Sequence, residues 1–399
     1  MMEQSSGRWL WSVAVAVLAL GWAFGCAAAV PAPIHHDLTV RIDPQRGLIE
    51  GTDRLSLSAA AAGPFTVELN AAFDLQATGA RVEPLGRAVR GGGVAVRRWR
   101  LTPNMPGKII GLHYVGHPAT SDPRRDDAVL VLAPNDIYLD PQSAWYPQVP
   151  ERAVTFWLRA DVPSGWRTVS EGRRLQSAAD GPMQWLSTRP TRGIYLVAAP
   201  FTLYQQHGAE AEALAYLRHP DAPLARRYLV ATAKYLRLYS RLIGPYPYAK
   251  FALVENTRQT GYAMPSFSLI GSQVLRLPFI PYTSYPHEIL HDWWGNGVWV
   301  DYASGNWSEG LTTYLADQLL AEQRGQGAEA RRAALQKYAD FVSHARDFPL
   351  AAFKARHGEV TQAVGYDKGM MFFHMLRMRI GDARFIQGLR RFYADNRFR

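Results

Sequence analysis

From His36 to about Tyr204, apolar and polar residues alternate in short bursts, each closed by turn-forming residues. Leu38-Thr39-Val40-Arg41-Ile42 alternates and stops at Asp43-Pro44. Val94 to Trp99 follows Gly91-Gly92-Gly93, Thr155 to Arg159 runs into Pro163-Ser164-Gly165, and Gly193 to Val197 runs into Pro200. A period of two places alternate side chains on one face of a strand, so this spacing predicts an antiparallel β-sandwich or saddle. The alanine run 59–62 before Gly63-Pro64 reads as a loop edge.

The period then lengthens. Asp221 is placed to cap a helix with Pro223 in its first turn, and Leu224, Tyr228, Leu229, Tyr235, Leu236 and Tyr239 recur at helical spacing up to Gly244-Pro245. Such an aromatic stripe reads as core. Phe251 to Glu255 and Ser266 to Gly271 read as strands flanking a loop from Asn256 to Pro265. Helices are predicted after Pro286, from near Ser308, and over 328–344, 369–380 and 385–393. The expected organisation is multidomain α+β. A leader or anchor occupies 1–30, a β domain 31–204 and a strand-plus-helix domain 205–399, because 399 residues exceed one ordinary core.

Composition narrows the class. A hydrophobic fraction of 48% with 12% aromatics indicates a packed globular chain and excludes disorder. The net charge is +10, but pairs such as Arg97-Arg98 and Arg124-Arg125 are short and scattered, which reads as solvated surface with no nucleic-acid partner. Cys26 is the only cysteine, so any metal must be held by His and carboxylates. Arg8, the apolar run Trp9 to Val30 and the small residues Cys26-Ala27-Ala28-Ala29 have the form of an export leader. A periplasmic or extracellular protein is expected. Membrane contact would come only through an uncleaved anchor or a lipid attached at Gly25-Cys26. No oligomeric state is legible.

The chemistry concentrates in His287-Glu288-Ile289-Leu290-His291 and, after seventeen intervening residues, Glu309. Residues four apart share a helix face, so the two imidazoles can grip one ion, with Glu288 beside them to reach a water. A catalytic zinc takes three protein ligands and keeps one position open, and Glu309 in Asn306-Trp307-Ser308-Glu309-Gly310 is the expected third ligand. One Zn2+ per chain follows. Asp292 and Asp301 are candidates to orient the imidazoles, each as readily a plain loop acid. His344, His357 and His374 are read as helical residues without ligand spacing.

These residues, with Trp293-Trp294-Gly295-Asn296 and Thr313-Tyr314-Leu315, resemble the zinc core of the aminopeptidase N-like family of gluzincin metallopeptidases. Tyr366-Asp367-Lys368-Gly369 resembles that family's Tyr-x-Lys-Gly segment, which implies that Tyr366 donates a hydrogen bond in the transition state. Weaker similarity reaches upstream to 244–248 and 166–172. The resemblance implies a thermolysin-like, mostly helical zinc-metallopeptidase domain after the β domain, with Gly261, Tyr262, Ala263 and Met264 along the substrate backbone.

Three departures stand out. The spacer before Glu309 is one residue shorter than the family's usual eighteen. Pro265 stands where the family has the glutamate that holds the substrate's free amine; Glu255 and the neighbours of Glu309 are the candidate substitutes. The chain also stops in an amphipathic helix where the family usually continues, so a truncated record is expected.

The expected function is zinc-dependent peptide hydrolysis by an exported aminopeptidase acting on peptide substrates, with Glu288 as general base and Tyr366 facing the oxyanion. An endopeptidase, or a hydrolase that needs no free amine, is the alternative. A catalytically silent binding module is the third reading, opposed by the presence of both Glu288 and Tyr366.

Overall fold

Strands form where the alternation predicts them. In Ile34–Asp43, burial alternates almost without break, with Leu38, Val40 and Ile42 inward. The computed structural model describes residues 31–399, apart from 58–62, 106, 108, 176–181 and 344. The apolar N-terminal run, the alanine run and His344 therefore lie outside the described residues. Ala32–Arg399 is one compact unit. Among the described residues no helix is long and apolar enough to cross a membrane.

The N-terminal half builds a seven-stranded sheet, a four-stranded sheet and a three-stranded sheet. The antiparallel expectation needs one correction. Ile34–Asp43 pairs in parallel with Val154–Asp161, because more than a hundred residues intervene and no tight hairpin dictates the direction. The strand expected at Gly193–Val197 starts later, at Leu196.

A five-stranded sheet follows. Its strands are β1 (Thr202–His207), β2 (Glu212–Leu217), β3 (Lys250–Asn256), β4 (Gly261–Met264) and β5 (Phe267–Gly271), in the order β1-β2-β3-β5-β4. Alternation decides what each face touches. Leu214, Tyr216, Ala252, Val254 and Leu269 join the core of the β half. Ala213, Ala215, Leu217, Phe251, Leu253 and Ile270 join the helical core. The predicted loop 256–265 therefore contains an edge strand, β4, which pairs antiparallel with β5.

Helices cover the second face. α1 (Ala222–Leu242) begins as predicted: the Asp221 carboxylate accepts the Leu224 N–H at 3.0 Å, and the tyrosine stripe is buried. Next come α2 (Ser284–Leu290), α3 (Trp307–Thr313), α4 (Leu319–Gln323) and α5 (Gly327–Phe341). α6 (Glu359–Gln362), α7 (Gly369–Ile380) and α8 (Asp382–Asn396) complete the chain. α1 packs against β1 and β2, and α2 against β4 and β5, which brings α2 to the edge-strand side of the sheet. His357 lies in an exposed turn before α6, not on a helix.

Candidate metal centre

α2 is only seven residues long, too short to be stable alone. Tyr285, Ile289 and Leu290 hold it in place. Each is completely buried, and such side chains contribute roughly 1.5–3 kcal/mol apiece. Pro286 sits inside the first turn, where its missing N–H has no partner to lose; the helix starts before it, not after it. His291 is the residue that closes α2, and its N–H still reaches the His287 carbonyl at 3.3 Å. With one face buried, His287 and Glu288 are left on the other.

α3 supplies the third group. The Asn306 side chain accepts the Ser308 N–H and starts the helix, which puts Glu309 in its first turn. His287 Nε2 and His291 Nε2 each stand 3.4 Å from Glu309 Oε2, and the two rings cross at 78°. Donor atoms about 2.1 Å from a tetrahedral zinc lie about 3.4 Å apart. Glu309 Oε2 is also buried without a hydrogen-bond partner. An orphaned anionic oxygen facing two imidazoles fits a cation bound among them, and the nitrogen and oxygen donor set is one zinc takes. Electrostatics agree: burial would raise the Glu309 pKa, yet the two imidazoles hold it well below the usual carboxylate range.

The imidazoles are oriented by groups other than those expected. His291 Nδ1 lies 3.0 Å from the Trp294 carbonyl, and Asp317 Oδ2 lies 3.8 Å from His287 Nδ1. The hydrogen bond to Trp294 sets the tautomer that leaves His291 Nε2 free for a metal, and the Asp317 carboxylate, at ion-pair distance, favours a proton on His287 Nδ1. Asp292 instead accepts from Tyr246 Oη at 2.6 Å and the Ser266 N–H at 2.9 Å, and Asp301 caps the exposed turn 302–304. Asp301 is thus the plain loop acid that the sequence also allowed, whereas Asp292, completely buried, orients neither imidazole through a hydrogen bond. The sequence signal for Asp317 is its spacing, about two helical turns beyond Glu309.

Tyr366 joins from a π-turn over Ala363–Lys368, its ring 6.0 Å from that of His287 and almost parallel to it. Burial raises its pKa far above the ordinary phenol range, with the Glu309 and Glu288 carboxylates adding to the effect, so the hydroxyl keeps its proton. Lys368 reaches away to Asp347 at 2.8 Å. His374 is on α7, as predicted, with Nδ1 buried and unpartnered.

β4 forms the rim. A Cβ on Gly261 would stand 2.9 Å from Glu288 Oε1, so the strand runs directly over the general-base candidate. β4 is the last strand of its sheet, and its outer edge is open to pair with an extended backbone. The turn after it explains Pro265. Met264 pairs with Phe267, leaving Pro265 and Ser266 as a two-residue turn with Ser266 at φ +69°. Proline presets the first corner of such a turn. Lys250, fully buried beneath it, donates to Ser266 O at 3.0 Å and Ser266 Oγ at 2.7 Å. Glu255 does not replace the missing glutamate: it is buried, with Arg276 Nη1 at 2.7 Å and the Arg218 N–H also at 2.7 Å.

Residues 283–399 match the peptidase family M1 domain. Aminopeptidase M1-D of Oryza sativa subsp. japonica is 24% identical over 265 residues, which are 60% of this chain. The chain spans only about 30% of that relative's length. Among solved structures, an M1 zinc metallopeptidase from Deinococcus radiodurans superposes with a TM-score of 0.71 at 22% identity, covering 92% of this chain and 88% of the other. A mutant of that enzyme was solved with a Tyr-Ser-Ala substrate bound. Native yeast LTA4 hydrolase gives a TM-score of 0.68 at 14% identity over 92% of this chain and 62% of its own. Segment 283–399 thus matches the peptidase family M1 domain, in a chain that has the fold of the M1 zinc metallopeptidases.

Proposed function

We propose that this chain is an exported zinc-dependent peptidase, with aminopeptidase action as its leading activity. One observation carries the reading: His287, His291 and Glu309 converge on one point, with Glu288, Tyr366 and the open edge of β4 around it. Zinc held there supplies a Lewis acid that polarises the scissile carbonyl and makes water nucleophilic near neutral pH. Substrate backbone pairs along β4, which brings its carbonyl over Glu288. The Glu288 carboxylate takes a proton from the attacking water as the new C–O bond forms. It then returns that proton to the amine nitrogen as the C–N bond breaks. The Tyr366 hydroxyl donates to the oxygen on which charge develops. Export rests on the apolar run from Trp9 to Val30.

A second reading drops the free amine. Pro265 lies in a turn and Glu255 is occupied by Arg276, so neither is available to receive an ammonium group. Matched peptides with free and acetylated N-termini separate the two readings, since cleavage at equal rates would overturn the aminopeptidase assignment. Glu288→Gln should retain about one zinc per chain and lose hydrolysis. Full activity in that variant would overturn the mechanism, and zinc-loaded wild type without hydrolysis would favour a binding role.

A further inference from the structure

The fold brings Arg324 alongside a row of cations on one helix. α1 carries Arg226, Arg227, Lys234, Arg237 and Arg241 and no acidic residue between Ala222 and Leu242. Its apolar face is buried against the sheet, which leaves Lys234, Arg237 and Arg241 exposed on the other side. Across from them lie the turn Ile280–Tyr282 and the end of α4, followed by exposed Arg324. Together these elements enclose an open groove of about 680 Å³. The four cations line its rim, and Tyr235, Leu238 and Leu320 form its largely buried floor.

Among the described residues none of these four cations is ion-paired. Arg97, Arg98, Arg124 and Arg125, by contrast, each have an Asp or Glu within 4.0 Å. The nearby acid on α4, Glu322, is taken by Arg377 at 3.0 Å, and Arg324 meets only the Gln326 side chain. Apolar groups stand out beside the rim: Tyr282 is 55% exposed, Phe279 53% and Val230 57%. Unpaired cations around an apolar floor, with aromatic rings projecting next to them, complement an anionic amphiphile. Phosphate meets the guanidinium and ammonium groups, while chain and glycerol lie over the leucines and tyrosine. A soluble polyanion would use the cations and leave Phe279 and Val230 without a partner.

We infer that this groove docks the protein onto an anionic phospholipid surface, independently of any N-terminal anchor. Thr283, on its wall, immediately precedes α2, so docking also sets the orientation of the metal-bearing helix against the lipid.

The test uses the full chain and two water-soluble probes below their micelle-forming concentration, dihexanoyl phosphatidylglycerol and dihexanoyl phosphatidylcholine, with inorganic phosphate as a third. Calorimetric titration should show saturable binding of the anionic lipid, at least about tenfold tighter than either control. Each cation near an anionic surface contributes about fivefold in affinity, so Arg237→Glu with Arg241→Glu should weaken binding by about 25-fold or more. Arg237→Lys with Arg241→Lys should stay close to wild type. Arg324→Glu, on a different element, should weaken binding about fivefold and provides a second reading should the double variant melt early. Sedimentation with phosphatidylglycerol-containing vesicles, compared between wild type and the Glu variant, cancels any contribution of the shared N-terminus. Equal binding of the zwitterionic lipid, unchanged binding in the folded Glu variants, or a tighter grip on duplex DNA than on the anionic vesicles would overturn the inference.

Discussion

Gly310 and Gly369 meet backbone to backbone: a Cβ on Gly310 would stand 2.8 Å from Gly369 Cα, and one on Gly369 would stand 2.9 Å from Gly310 Cα. Gly310 follows Glu309, the proposed third metal ligand, and Gly369 closes the Tyr-x-Lys-Gly segment that bears Tyr366. The contact therefore sets how closely the tyrosine approaches the metal ligands. Gly369→Ala should force α3 and α7 apart, costing roughly 1–3 kcal/mol as overpacking does. Hydrolysis should fall more than about tenfold with zinc content unchanged, because a small misplacement of a reacting group is expensive. Thermal melting, kcat/KM and metal analysis on one preparation check this. Wild-type kcat/KM would show that Tyr366 is positioned by something else.

Tyr366→Phe keeps the ring beside His287 and removes only the hydroxyl. Loss of one oxyanion donor should lower kcat about 100-fold while KM changes little. Steady-state kinetics with metal analysis is the measurement; loss of zinc in the variant would indicate a structural role for the residue.

Asp317 is expected to matter where Asp301 does not. Asp317 lies 3.8 Å from His287 Nδ1, whereas Asp301 bonds only within its own exposed turn. Asp317→Asn should weaken zinc binding about 10- to 100-fold, and Asp301→Asn should leave it alone. Competition against a chelator of known affinity reports both, and equal affinities would remove Asp317 from the metal site.

Glu171 gives the chain a pH-dependent component of stability. Buried, it accepts the Tyr195 N–H at 3.0 Å and the Ser170 hydroxyl at 2.9 Å, and burial raises its pKa from 4.5 to about 8. Between those values the folded chain keeps a proton that the unfolded chain releases. Stability from this group is therefore present in full below about 4.5 and is lost as pH rises to about 8. Glu171→Gln should flatten that part of the stability–pH curve, measured by denaturant melts across the window. A slope equal to wild type would assign it elsewhere.

Much of this protein was legible residue by residue. The α1 cap at Asp221, its buried tyrosine stripe, the strands near the N-terminus and α7 at Gly369–Ile380 all follow from local periodicity and capping. These features depend on residues within one or two turns of each other, and the linear chain records such neighbours directly. The same locality put His287 and His291 on one face of α2.

What no spacing could state is where distant segments meet. The order of the five-stranded sheet turned a predicted loop into the open edge at Gly261–Met264 and placed its first glycine over Glu288. Asp292 was drawn to Tyr246 and Ser266 and away from the imidazole it adjoins in sequence, while Asp317 approached from the π-helical turn Tyr314–Gln318 that continues α3. Arg324 came to face Lys234, Arg237 and Arg241 of α1 across one groove. The sequence by itself determined the kind of chemistry, because ligand identity and helical phase are local. The tertiary structure decided the company each group keeps, because burial and packing, which act through space, choose the partner a polar group must find once water is excluded.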